Sequence, residues 1–309
     1  MARWKLSGGA RPFLKWAGGK SQLLGEFYRR LPGRELETGA LTHYVEPFVG
    51  GGAVYFSLAR LYPFEECTIS DVNEELVLTY RAIQNSVPAL IERLRILDST
   101  YRTIDESQRE AWYYAIRNTF NRSRPSSGCR AGSSRGVERA AQMIFLNHTC
   151  YNGLYRVNKS GEFNVPFGRY KNPDILNVKN LEAAASLLAS ARILRGDFTR
   201  CRSAVDDRTF VYLDPPYRPL NATSSFTTYA PNGFSTGDQV RLAKFFRDLD
   251  RKGAKIMLSN SDLANTCPGD TFFEDLYEGF RIERVPAKRM INCNGARRGA
   301  ISELIITNY

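Results

Sequence analysis

The sequence predicts an α/β fold: an open sheet of strands alternating with helices, interrupted by a basic helical insertion at roughly 81–185. Three observations predict it. Short apolar runs at 43–48, 67–70, 191–194, 209–213, 255–258 and 303–306 read as strands separated by helical stretches. The first run leads into Phe48-Val-Gly-Gly-Gly52, a glycine turn before a helix from about Ala53. Acids close three of the strands, Glu46, Asp71 and Asp197, where open α/β sheets bind their ligands.

Each element has a local reason. Ser21 caps a helix carrying Leu23, Leu24, Phe27 and Leu31, which Pro32-Gly33 ends. After the second strand a helical stretch runs from Glu74 to about Tyr101, with a break near Pro88. Residues 123–136, SRPSSGCRAGSSRG, are rich in Ser, Gly and Arg, poor in apolar residues, and read as a mobile loop. Helix resumes near Val137. The chain thus divides into a catalytic part, 1–80 with 186–309, and an inserted part, 81–185.

Composition narrows the partners. The 309 residues are 43% hydrophobic and 12% aromatic, which suits a globular chain with a sizeable core. There is no apolar run of eighteen residues and no apolar leader in MARWKLSGGARPF, so neither a membrane span nor a secretion signal is expected. Six cysteines without a C-x-x-C pair, and only two histidines, are poor material for zinc and read as reduced cytoplasmic thiols. The net charge is +11, and between Arg117 and Lys171 ten lysines and arginines face two acids. Such a field suits a nucleic acid.

Two motifs carry chemistry. Phe13-Leu-Lys-Trp-Ala-Gly-Gly-Lys20 ends like a phosphate-binding loop, but Leu14 stands where that loop needs its first glycine and Trp16 has no place in it. Val211-Tyr-Leu-Asp-Pro-Pro-Tyr217 ends a buried strand in an acid, two rigid prolines and a tyrosine. The Asp214 carboxylate and the carbonyls beside Pro215 and Pro216 are acceptors, and Tyr217 offers a flat face. That set fits an exocyclic amino group on a planar ring. The glycine turn with Asp71 on the next strand fits a nucleoside-bearing cofactor, though not a dinucleotide, whose turn is spaced differently.

These motifs, with DVN (71–73), CYNGLYR (150–156), GEFNVPFGRYKNP (161–173), GDF (196–198), FTTY (226–229) and ISELIITNY (301–309), make the chain resemble the Dam-type DNA adenine N6-methyltransferases over nearly its whole length. The resemblance implies a Rossmann-like S-adenosylmethionine-dependent methyltransferase sheet with an inserted helical target-recognition domain. Only the loop at 123–136 has no counterpart in it.

The resemblance also distributes roles. S-adenosylmethionine would lie against Trp16, Phe48 and Gly50, with Lys20 near its carboxylate, Asp71 at its ribose, and Asp197 and Phe198 at its adenine. Asp214, Pro215, Pro216 and Tyr217 would hold the flipped adenine, with Asp214 bordering both ligands and no metal needed. Phe226, Tyr229 and Phe234 are candidates to close over that base. On double-stranded DNA, Lys15 would meet the first base, Asn152 would fill the gap, Leu154 and Pro166 would touch a thymine methyl, and Arg156 would read a guanine. Arg297 and Arg298 would hold phosphates. These residues match those of GATC enzymes. The implied protein is a cytoplasmic monomer, with a restriction endonuclease as a partner in function only.

Rival readings differ at one position. Cytosine-N4 enzymes more often show Ser where Asp214 stands, and enzymes acting on RNA adenine or protein glutamine more often show Asn. A DNA-binding module without catalysis does not need the intact DPPY and WAGGK.

Overall fold

The computed structural model describes residues 9–123, 131–217, 234–265, 267–287 and 301–309. Within them seven strands form one sheet in the order β3-β2-β1-β4-β5-β7-β6. β1 (His43–Glu46), β2 (Glu66–Asp71), β3 (Arg192–Arg195), β4 (Thr209–Leu213) and β5 (Lys255–Ser261) are parallel. β7 (Ile301–Thr307) lies antiparallel between β5 and the edge strand β6 (Arg281–Ala287).

Side-chain alternation along the central strands feeds two cores. Tyr44, Phe210, Tyr212 and Met257 enter one of them, which continues into α3 (Ala53–Ala59), α4 (Glu74–Thr103) and α6 (Ser134–Thr149). Val45, Val211, Leu213, Ile256 and Leu258 enter the other, against α8 (Thr236–Asp250). β1 and β4 are buried along their whole length, as strands covered on both faces must be. Chain order reverses between β1 and β4, and ligands of doubly wound sheets bind at that point.

The insertion is helical. α4 kinks at Ser86 (φ −150°, ψ 31°), two residues before Pro88, because a proline ring cannot fit the turn before it. α5 (Glu106–Arg122) opens with a capping box between Asp105 and Gln108. α6 packs on both α4 and α5. A buried ion pair, Arg139 of α6 to Glu75 of α4, fastens the three helices, since Arg139 also donates to the Phe120 carbonyl at 2.8 Å. α7 (Val178–Leu188) returns the chain to β3.

Several expectations need correction. The helix expected from Ser21 to Leu31 is a 3-10 turn, Lys20–Gln22, and a short α1 (Leu24–Tyr28) without a side-chain cap. Pro32 and Gly33 do not end a helix; they begin α2 (Gly33–Thr38), where Pro32 is the cap residue. The Ser/Gly/Arg loop is shorter than expected, because Ser133 caps α6 through the Gly136 N–H and helix starts at Ser134. β6 was not foreseen, since charged residues and Pro286 break its apolar pattern. An edge strand tolerates both. The final helix, α9 (Phe272–Leu276), is one short turn before β6. No helix among the described residues is long and apolar enough to cross a membrane.

Candidate active site

A cavity of about 380 Å³ opens at the switch point, walled by residues 16–20, 48–52, Asp71 and residues 214–217. This is the size of a site for one small organic ligand. The glycine turn is shaped for close approach: Gly50 has φ 47°, and a Cβ on it would lie 3.0 Å from the Trp16 indole. Its N–H donates to Asp71 Oδ2 at 3.1 Å, and its carbonyl accepts from the Tyr80 hydroxyl at 3.0 Å. The Asn73 N–H donates to Asp71 Oδ1 at 2.8 Å. Burial pushes the Asp71 carboxyl up to about 6 against these hydrogen bonds. The buried Glu46 carboxyl, which accepts from the Tyr44 hydroxyl at 2.7 Å, is pushed well up by the same desolvation.

The centre of the cavity floor is a charge cluster. Lys20 is only 4% exposed, and its ammonium lies 3.1 Å from Asp214 Oδ1 and 3.2 Å from Glu303 Oε2. It also donates to the Tyr217 hydroxyl. Burial would lower the Lys20 pKa, but Asp214, Tyr217 and Glu303 together raise it, so the ammonium stays charged. Asp214 Oδ1 accepts a second bond, from the Ser259 hydroxyl at 3.1 Å, and Ser259 is itself 2.8 Å from the Tyr212 hydroxyl. Among the described residues no group donates to Asp214 Oδ2. Desolvation moves the Asp214 carboxyl up to about 6, with Lys20 opposing and Glu303 reinforcing.

A second feature stands beside the cavity. Bridges between Cys150 and Phe167 and between Val157 and Phe163 close residues 150–167 into one loop. Asn152, near its base, has φ 55° and is exposed, as are Arg156 and Pro166, while Leu154 is half-buried. Gly153 (φ 60°) lies against Lys15, where a Cβ would approach Lys15 Cδ to 2.3 Å. Buried Asn147 ties the two segments, accepting from the Lys15 N–H at 2.8 Å and donating to the carbonyls of Lys15 and Gly153 at 2.9 and 3.0 Å.

Residues 16–291 match the family described as D12 class N6 adenine-specific DNA methyltransferase. The chain belongs to this family. It is similar to the type II methyltransferase M.MjaIII of Methanocaldococcus jannaschii, 52% identical over 97% of this chain and 99% of that protein. The type II methyltransferase M1.LlaDCHI of Lactococcus lactis is 39% identical over 97% of this chain and 95% of its own length. The DNA adenine methylase of Escherichia coli K12 is 33% identical over 96% and 94%. The enzyme is an adenine-specific DNA methyltransferase.

For this methyltransferase the structure gathers some expected site residues and separates others. Trp16, Lys20, Phe48, Gly50, Asp71, Asp214, Pro215, Pro216 and Tyr217 line one cavity. Asp197 and Phe198 do not line it. Asp197 is exposed and pairs with Arg241 at 3.0 Å, and Phe198 is buried beneath Phe48 with ring centroids 5.5 Å apart. Phe234 completes that aromatic group, 5.8 Å from Phe48. Lys20, expected beside a ligand carboxylate, has two carboxylates of the chain itself as partners. Phe226, Tyr229, Arg297 and Arg298 lie outside the described residues.

Sequence reasoning missed Ser259, Glu303, Asn147, Asn164 and Tyr151. The one signal for Glu303 was an acid inside the apolar run of β7. Tyr151 is 55% exposed at the base of the loop beside Asn152, an unusual setting for so large a ring. Asn164 accepts from Arg156 Nε at 2.8 Å and so fixes the guanidinium of the expected guanine reader.

Proposed function

We propose that the enzyme moves a methyl group from S-adenosylmethionine to N6 of an adenine flipped out of double-stranded DNA, within GATC. The observation that carries this reading is the division of labour on Asp214. Its Oδ1 is committed to Lys20 and Ser259, which fixes the carboxylate and leaves Oδ2 at the cavity as an acceptor for an amino group. The Pro215 carbonyl accepts the second N6–H. Together they draw the nitrogen lone pair out of ring conjugation and aim it, so positioning and electrostatics supply the rate. Tyr217 provides the stacking face.

The cavity residues fit the donor. Asp71, half-buried and ionisable, accepts from a ribose diol, the Gly50 turn admits a close backbone contact, and Trp16 offers an aromatic face to a sulfonium. When bound, S-adenosylmethionine supplies the electrophilic methyl group. The exposed loop 150–167 reads the DNA: Asn152 and Tyr151 enter the stack, Leu154 and Pro166 meet a methyl group, and Arg156 takes a guanine edge. Lys15, packed on Gly153, adds a contact at the first base. The type II names of two relatives support a restriction endonuclease acting on the same sequence.

Methylation-aware sequencing of unmethylated DNA, treated with the enzyme and S-adenosylmethionine, tests the proposal. N6-methyladenine at GATC is expected. Methylation confined to another sequence overturns the site, and none overturns the reaction. S-adenosylmethionine, and not ATP, is expected to raise the melting temperature.

A further inference from the structure

Glu303 stands on β7, across from Ser261 of β5, and is mostly buried. One ammonium, Lys20, lies between its Oε2 and Asp214 Oδ1, at 3.2 and 3.1 Å. Among the described residues Glu303 Oε2 has no hydrogen-bond partner of good geometry, although it lies within ion-pair distance of Lys20. A mostly buried carboxylate oxygen held only by an ion pair is costly in a fold, and the side chain contributes nothing to the sheet ladder that a neutral residue would not.

The charge count gives it a purpose. With Glu303, one cation serves two carboxylates and the cluster is net negative. Without it, the whole Lys20 charge falls on Asp214, competes for that carboxylate's lone pairs, and weakens it as an acceptor in a low-dielectric site. We propose that Glu303 is a positioning residue for methyl transfer: by sharing Lys20 with Asp214, it keeps Asp214 Oδ2 a strong acceptor for the target amine. This rests on the reading of Asp214 given above. The other groups facing the cluster are Tyr217, Tyr212 and Glu46. The tyrosines have their pKa values raised, chiefly by burial, and remain neutral. The Glu46 carboxyl is raised well above its usual range, again by burial.

The test uses the full-length Glu303→Gln variant in single-turnover methylation of duplex DNA at saturating S-adenosylmethionine, across pH. The methyl-transfer rate is expected to fall by about tenfold or more, as for loss of one electrostatic contact to a developing charge. Cofactor and DNA affinities are expected to stay within about threefold of wild type, since Glu303 touches neither ligand. The sign of the pH effect is set by charge. Glu303 raises the Asp214 carboxyl, so its removal moves the acid limb of the rate profile to lower pH, which a merely structural lesion does not do. A wild-type rate with an unmoved acid limb overturns the proposal, and so does a rate loss without the downward shift. Should the Gln variant melt below the assay temperature, Glu303→Asp decides: it keeps the charge but withdraws it from Lys20. A reduced rate is then expected, and a full wild-type rate overturns the idea. Asp214→Ala, run alongside, separates the two failures. An active Asp214→Ala enzyme sinks the reading of Asp214 itself, whereas an inactive one with an unaffected Glu303→Gln sinks only the role of Glu303.

Discussion

The indole of Trp16 is stacked on the ring of Tyr155, with centroids 5.4 Å apart and planes inclined by 23°. Trp16 walls the ligand cavity. Tyr155 lies in loop 150–167, proposed above to read the DNA, between Leu154 and Arg156, and Asn147 locks the backbones of the same two segments. The cavity wall and this loop therefore share one joint. Tyr155→Leu should remove the backing of Trp16 and weaken S-adenosylmethionine by about 0.5–1.5 kcal/mol, the usual worth of an aromatic pair beyond its buried area. Calorimetry on Tyr155→Leu, Trp16→Leu and the double variant checks this. Additive losses would show that the stack carries no coupling.

With Asp214 as the proposed acceptor, its titration should set the acid side of the activity. Its carboxyl, moved up to about 6 mainly by desolvation, is a charge-assisted acceptor only when ionised; protonation weakens it and turns one oxygen into a donor. The methyl-transfer rate should therefore be full above that value and decline as pH falls through it, with a one-proton slope. Lys20 has its pKa raised and imposes no alkaline limb near neutrality. Asp214→Ala should cost the transfer step roughly 2 kcal/mol or more, as for a lost charge-assisted acceptor, with DNA affinity little changed. Single-turnover rates across pH check both. A rate within about tenfold of wild type for Asp214→Ala contradicts the assignment.

Arg139 fastens α6 to the start of α4 and to the end of α5. It is 3% exposed and is shared among Glu75, the carbonyls of Phe120 and Ser123, and the Phe120 ring. Arg139→Leu strands a buried carboxylate and should destabilise the fold by about 3–5 kcal/mol. Adding Glu75→Leu removes the stranded charge, so the double variant should recover part of the loss. Denaturant unfolding measures it, and a double variant no more stable than the single one contradicts this account of the cost.

What the sequence revealed and what it hid follow one line. Strands β1, β4 and β5 were legible because burial on both faces makes them nearly continuous apolar runs, and β2, β3 and β7 because each keeps a short apolar run at its centre. The charged edge strand β6 was not, since nothing local distinguishes it from a loop. Trp16, Asp71 and Asp214 were legible through motifs that are contiguous in the chain. Ser259 and Glu303 were not, because they reach Asp214 from β5 and β7, 45 and 89 residues away in sequence. β5 comes beside β4, and β7 beside β5, only when the sheet assembles. The first helix was misread for the opposite reason: its pattern is helical, but Lys20 turns inward to Asp214 and Glu303 and the chain tightens to a 3-10 turn there.

Arg156 and Asn164 give the sharpest test of how the DNA is read. The Arg156 guanidinium is exposed, yet its Nε is held by Asn164 Oδ1 at 2.8 Å, which leaves the terminal nitrogens for a base edge. A bidentate arginine–guanine pair discriminates by about 1–3 kcal/mol, whereas an arginine on phosphate carries no sequence information. Arg156→Ala should therefore relax specificity at one base pair and leave the others intact. Asn164→Ala should relax the same base pair by a smaller factor, because the guanidinium loses its orientation and keeps its charge. Methylation rates on a GATC duplex and on duplexes changed at one position each, at two salt concentrations, distinguish the cases. If Arg156→Ala lowers every rate by one common factor and flattens the salt dependence, Arg156 is a phosphate contact and the loop reads the guanine through another side chain.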